Sequence, residues 1–279
     1  MADIQKIGII AGGGTLPDLM VKHCQKTEKP FHMVCFKGQP QPQNWSDYKI
    51  FTTELGLGQV GKVVETFKEK QVTDIVMAGN LEKPSLFDLR FDMAGLKLMN
   101  QARRKHDDEL LNAVCTFLIE QGFNVLGAHE LAPEILMPKG LLSQRKPNAN
   151  QKTDLEIGLE TLAHLSTLDI GQAVVVKDGV VLGVEAVEGT SRLIERCATL
   201  RGAKDKGGVL VKAAKAGQNL KVDMPAIGDE TLEKLAELHY DGVAVLAGQA
   251  MFLAQEKALK VANKNGLFVC GVDENGQYA

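Results

Sequence analysis

The chain has 279 residues, more than one compact core usually holds, so two domains are expected. Its 44% apolar and 24% charged residues are ordinary for a globular protein and argue against fibre or disorder. The formal net charge of −3 lacks the basic excess of a general nucleic-acid binder, so no nucleic-acid partner is expected.

In chain order, Ile4 to Ala11 predicts a strand that ends in three glycines. Leu16 to Thr27 predicts a helix, with Pro17 suited to its first turn. Phe31 to Phe36 reads as a second strand and Tyr48 to Thr52 as a third, weaker one. Helical spacing over Val60 to Lys70 is followed by a buried-type strand, Thr73 to Ala78. Helices over Leu96 to Arg104 and Asp108 to Gln121 precede a strand at Phe123 to Leu126. Strands alternating with helices imply a parallel sheet covered on both faces.

The pattern breaks in the Pro-rich, polar stretch between Ala132 and Lys152, which predicts a linker over 133–151 between domains at 1–132 and 152–279. Asp154 to Leu168 then reads as a helix. Ala173 to Lys177 and Val180 to Val187 flank Asp178-Gly179, a two-residue hairpin signal. Helices follow at Thr190 to Leu200, Thr231 to His239 and Met251 to Lys264. Strands fall at Val209 to Lys212, Val243 to Ala247 and Leu267 to Val272. The second domain is therefore a distinct α/β unit that mixes a hairpin with strand–helix repeats.

No apolar run approaches the ~20 residues of a membrane helix. The N-terminus has neither a basic nor a long apolar segment, which predicts a cytoplasmic protein. Cys24, Cys35, Cys115, Cys197 and Cys270 are scattered without a CxxC pair and read as reduced, buried thiols. The six histidines show no paired metal-ligand spacing.

Three stretches carry chemistry. Gly12-Gly13-Gly14-Thr15 follows a strand and opens a helix, where backbone N–H groups and the helix terminus favour a nucleotide phosphate. A tight turn without a ligand is the alternative. Pro17 stands where the third glycine of a dinucleotide fingerprint belongs, and no acid follows the second strand, which counts against NAD. In VEAVEGTSRLIER, Thr190 or Ser191 could cap a helix whose first turn would take phosphate; a capping turn with a solvated basic face explains it equally. In LVKAAKAGQNLKVDMPAIG, Lys212, Lys215 and Lys221 surround one carboxylate, Asp223. Such a cluster suits either a Mg²⁺-bridged phosphate site or a surface ion-pair network.

These stretches also carry a resemblance. IAGGGTLP at Ile10 to Pro17, HDDELL at His106 to Leu111, EAVEGT at Glu185 to Thr190 and KAAKAGQNLKVDMPAIG at Lys212 to Gly228 resemble the UDP-2,3-diacylglucosamine pyrophosphatase family of lipid A biosynthesis, the LpxI type. The resemblance runs nearly end to end. It implies a Rossmann-like N-terminal domain joined by a linker to a distinct C-terminal α/β domain. It implies Mg²⁺-dependent hydrolysis of a lipid-linked UDP-sugar to UMP and 2,3-diacylglucosamine 1-phosphate, with Asp223 essential. The family usually has Asp where Ser191 stands and reads KPGQD where this chain has Lys215-Ala216-Gly217-Gln218-Asn219. Two carboxylates are thus replaced by neutral groups, and Glu188 becomes a candidate second metal ligand beside Asp223.

The expected site assigns Asp223 to Mg²⁺ or to the attacking water. Thr190, Lys212 and Lys215 are expected to hold phosphate oxygens, with Gln218 and Ser191 beside the substrate. Gly12, Gly13, Gly14 and Thr15 are expected to face the uridine nucleotide. Leu86 to Met99 is rich in large apolar residues and reads first as a packing or dimer face. The alternative is transient contact with acyl chains or the inner membrane surface. The competing functions are an NAD(P)-linked oxidoreductase and a nucleotide-sugar sensor without catalysis.

Overall fold

The computed structural model describes residues 5–82, 91–102, 107–201 and 205–278. His106 of the HDDELL motif, Arg104 and residues 86–90 of the apolar stretch lie outside them. The chain divides into two compact units. One comprises Met1–Glu134 with Lys221–Asp223, the other Ile135–Leu220 with Met224–Ala279.

The first unit is built on five parallel strands, β1 (Ile7–Ala11), β2 (Phe31–Phe36), β3 (Thr52–Leu55), β4 (Asp74–Ala78) and β5 (Asn124–Leu126), in the order β3-β2-β1-β4-β5. Both faces of β1 are covered, so Ile7 and Ile9 are fully buried, and its near-continuous apolar run follows from that. The helices are α1 (Leu16–Lys26), α2 (Trp45–Tyr48), α3 (Val60–Glu69), α4 (Met93–Ala102), α5 (Asp107–Glu120) and α6 (Ala128–Leu131). Phe67 of α3 and Leu118 of α5 pack with Val34, Ile75 and Val125 of the sheet. Strand order reverses between β1 and β4, and such a reversal opens a crevice at the carboxyl ends of the strands.

The third strand corrects the expectation. Residues 45–51 form a helical turn, and the strand begins at Thr52, opposite Met33. Tyr48 is buried, and the Thr52 hydroxyl donates to its carbonyl at 2.8 Å, which closes the turn before the strand can start.

The second unit has a six-stranded sheet of order β6-β13-β11-β9-β7-β8 and a two-stranded pair, β10-β12. The strands are β6 (Gly140–Leu141), β7 (Ala173–Lys177), β8 (Val180–Val184), β9 (Val209–Lys212), β10 (Ala226–Ile227), β11 (Gly242–Leu246), β12 (Met251–Phe252) and β13 (Phe268–Val272). β9, β11 and β13 run parallel; β6 and β7 pair antiparallel with β13 and β9, and β8, antiparallel to β7, runs with β9. Leu155 and Leu162 of α7 (Ala149–Ser166) cover one face. The other face carries α8 (Gly189–Thr199), α9 (Asp229–Glu237) and α10 (Gln255–Asn265), through Leu193, Leu232, Leu235 and Ala258.

Residues 133–151, expected as a linker, are mostly built into this unit. Met137 is buried in its core and donates its amide to Ala250 at 2.8 Å, and β6 pairs with β13. Helix α7 begins at Ala149, earlier than expected, because Asn148 and Gln151 form a reciprocal capping box at 2.9 and 3.0 Å. Met251 and Phe252, expected to be helical, form β12 against β10 instead, and α10 starts at Gln255. The β7–β8 hairpin turns at Asp178 (φ 51°) and Gly179 (φ 80°), as a two-residue turn with both central residues left-handed requires. Buried Asp154 of α7 accepts from both turn amides, at 3.1 and 2.7 Å.

All five cysteines are buried and free. Burial pushes the Cys35 and Cys270 thiols up to about 12, and Cys24 and Cys115 to about 11. Among the described residues, no helix is long and apolar enough to cross a membrane.

Candidate active site

In the second unit, the end of β9, the start of β7 and the end of β8 meet at one edge of the sheet. Ala173 lies opposite Lys212, and Val174 opposite Val184. This edge is the carboxyl end of the parallel strands, where open α/β sheets place ligands.

Lys212, the last residue of β9, is only 7% exposed. A buried ammonium group must be hydrogen-bonded to be tolerated. Its Nζ donates to Thr190 Oγ1 at 2.9 Å and to the Ala226 carbonyl at 3.1 Å. Thr190 lies in the first turn of α8, and its hydroxyl donates to Glu185 Oε1 at 2.7 Å. The other Glu185 oxygen accepts the Gln172 amide at 3.0 Å. Gly171 (φ 63°) makes this approach feasible, since a β-carbon there would collide with the Glu185 carbonyl oxygen.

This geometry revises the expected role of Thr190. Glu188 occupies the N-cap position of α8 and makes no side-chain cap, and the Thr190 hydroxyl turns to Glu185. A carboxylate only accepts, so the single Thr190 proton is committed to Glu185, and the oxygen accepts from Lys212. Thr190 therefore offers a ligand a lone pair, not a proton. Donation to an anionic ligand at this edge would fall to lysine.

Lys215 and Gln218 are brought together across the turn at Gly217 (φ 75°). The Lys215 amide donates to Gln218 Oε1 at 3.0 Å, and Gln218 N to the Lys215 carbonyl at 3.2 Å. Lys215 Nζ pairs with Asp169 at 2.6 Å, in the loop between α7 and β7. Ser191 is exposed beside Thr190. Glu188, a candidate metal ligand, pairs with Arg196 at 2.7 Å and accepts the Ala186 amide at 3.1 Å. The Arg196 hydrogen bond, with the local amides, holds its carboxyl below the usual range. Among the described residues, no three His, Cys, Asp or Glu side chains gather as a metal cluster.

Asp223 is half-buried and, with Lys221 and Val222, belongs to the first unit. Val222 packs against that unit's core, and Lys221 Nζ donates to the Val125 carbonyl at 3.0 Å and pairs with Glu130 at 3.4 Å. Glu130 also accepts the Gly127 amide at 2.7 Å; burial raises its carboxyl, but this bond and Lys221 bring it below the usual range.

The glycine loop follows β1 in the first unit. Gly12 N donates to the Ala78 carbonyl at 2.8 Å and Gly13 N to Asn80 at 2.9 Å. Side chains there would strike Asn80 and Pro40. Both glycines thus serve close backbone packing, and their amides do not form the expected anion cradle. Gly14 (φ 92°) faces open space, and Thr15 occupies the N-cap position of α1 without a side-chain cap. Pro17 supplies no N–H to the first turn.

The sequence does not mark Glu185, Gln172 or Asp169 as site residues. Glu185 stands within the EAVEGT motif, but nothing in sequence pairs it with Thr190 in preference to solvent. The loop carrying Asp169 and Gln172 has no signal of its own.

The model described as the LpxI N-terminal domain matches residues 6–135, and that described as the LpxI C-terminal domain matches residues 138–270. The chain is 34% identical over 278 residues to the UDP-2,3-diacylglucosamine pyrophosphatase LpxI of Caulobacter vibrioides, covering 97% of this chain and 98% of that protein.

Proposed function

Since the chain belongs to the LpxI family, we propose that it hydrolyses the pyrophosphate bond of UDP-2,3-diacylglucosamine to UMP and 2,3-diacylglucosamine 1-phosphate in lipid A biosynthesis. The observation that carries this proposal is buried Lys212 at the carboxyl end of β9, held by Thr190 and the Ala226 carbonyl.

Pyrophosphate cleavage needs an in-line water, neutralisation of the phosphate oxygens and a stabilised leaving group. Lys212 supplies a fixed, buried positive charge, which acts more strongly than one in bulk solvent. Lys215 adds a second ammonium. Thr190, with only a lone pair to offer, suits a water proton. Asp223 accepts a proton from water or orients it. A single carboxylate such as Asp223 suits Mg²⁺, which uses few protein carboxylates and completes its octahedron with water and phosphate oxygens. Asp223 would hold it, and it would supply charge neutralisation at the phosphates. Glu188 is paired with Arg196 and would have to release it to take a metal.

The test is UMP release from UDP-2,3-diacylglucosamine, with Mg²⁺ and with EDTA. Asp223→Asn should lose about 100-fold or more in kcat, in line with the loss of one preorganised charged group. Wild-type turnover by that variant under saturating Mg²⁺ would sink the assignment.

A further inference from the structure

We propose that Glu185 is a positioning residue for this reaction, acting through Thr190 on Lys212; the proposal rests on the pyrophosphatase function above. Glu185 stands at the end of β8, fixed by the Gln172 amide at 3.0 Å and by close packing against Gly171. It takes the only proton of Thr190 at 2.7 Å. That commitment leaves the Thr190 oxygen as an acceptor, and Lys212 Nζ donates to it at 2.9 Å. Reversing the Thr190 proton would point two donors at one another. The direction of one hydroxyl proton thus governs one of the contacts that hold the Lys212 ammonium, and Glu185 sets that direction.

Glutamine at 185 is nearly isosteric but has one acceptor and one donor at its tip. The Gln172 amide and the Thr190 hydroxyl both need acceptors, so a glutamine satisfies only one of them. Glu185→Gln should lower kcat about 10–100-fold, the scale of a small misplacement of a catalytic charge. KM should stay close to wild type, and Tm should fall by only a few degrees, the cost of one lost hydrogen bond. Thr190→Val should lower kcat similarly, and Thr190→Ser, which keeps the hydroxyl, should restore most of it.

The deciding measurement is the double-mutant cycle. If Glu185 acts through Thr190, E185Q/T190V turns over no more slowly than T190V. A purely structural role predicts losses that multiply and follow Tm. Multiplying losses, or wild-type kcat in E185Q, would overturn the proposal. Glu185→Asp, which keeps the charge but withdraws it by one methylene, replaces E185Q with the same outcomes if that variant does not fold.

A wild type that releases no UMP would refute the proposed function separately. The cycle is then read from acetylation of Lys212 by acetic anhydride, followed by peptide mass spectrometry with Lys234 as internal reference. Both single variants should raise the Lys212 rate by about 10-fold or more, the scale of a lost charge-assisted hydrogen bond, and the double variant by no more than either. An unchanged Lys212 rate would overturn the linkage.

Discussion

Gly171 and Gly179 provide a matched pair that separates backbone strain from collision. Both are left-handed, at φ 63° and 80°. Alanine at either position carries the left-handed penalty, about 1–2 kcal/mol. Nothing lies within 4 Å of a β-carbon built on Gly179, so its cost should end there. A β-carbon on Gly171 would collide with the Glu185 carbonyl oxygen and lie 3.1 Å from the carbonyl carbon. Backbone cannot swing aside as a side chain can, so the loop or the end of β8 must move. Overpacking of this kind costs about 1–3 kcal/mol. It also strains the Gln172–Glu185 hydrogen bond. From the first two costs alone, Gly171→Ala should lose about 2–5 kcal/mol and Gly179→Ala about 1–2. At roughly 2–4 °C per kcal/mol, calorimetry should show Tm falling by about 10 °C and about 4 °C respectively. Steady-state UMP release should fall at least ~10-fold for Gly171→Ala, through displaced Glu185, and remain near wild type for Gly179→Ala. Equal Tm losses, or full kcat in Gly171→Ala, would refute the reasoning.

His32 should make stability depend on pH. Its ring is buried and bonded to Thr53 at 2.9 Å; burial, then Lys70 and Lys6, pulls its pKa from 6.5 down to about 4. The unfolded ring takes a proton that the folded ring refuses, so stability is complete above about pH 6.5 and falls towards pH 4. The loss is up to about 3 kcal/mol at 1.36 kcal/mol per unit. Urea unfolding at pH 7, 5 and 4 should show this slope, and His32→Asn should flatten it; an identical slope in the variant would remove His32 as its source. The buried thiols should resist chemistry as well: at pH 8 the native protein should react with no aromatic disulfide reagent, and all five cysteines should react in guanidinium. A fast native phase would contradict their burial.

Much of the fold was legible because short-range physics decides it. Apolar runs such as Ile7 to Ala11 and Val243 to Leu246 can only be buried strands in an alternating α/β chain. Asp178-Gly179 can adopt the two left-handed conformations of a tight hairpin, and it does so. The Asn148-x-x-Gln151 box is present in the sequence, but the prolines around it give a linker signal that masks this local helix start. Met251-Phe252 has no local preference strong enough to choose between strand and helix; the backbone of Ala226-Ile227 chose for it.

The site divides in the same way. The sequence by itself marked Lys212, Thr190 and Asp223 as polar groups in unusual settings, and resemblance joined them to one chemistry. It could not say that Lys212 is buried, that Thr190 faces Glu185 and not its own helix, or that Gly12 and Gly13 have their amides engaged. Thr190 and Lys212 are 22 residues apart, and Glu185 and Gln172 are 13 apart. Glu185 and Gln172 meet through the β7–β8 hairpin, and Lys212 reaches them because β7 also pairs antiparallel with β9. Propensity and periodicity are properties of neighbouring residues and survive in the sequence. A hydroxyl's proton direction and a lysine's burial are set by groups that only the folded sheet edge brings within 3 Å.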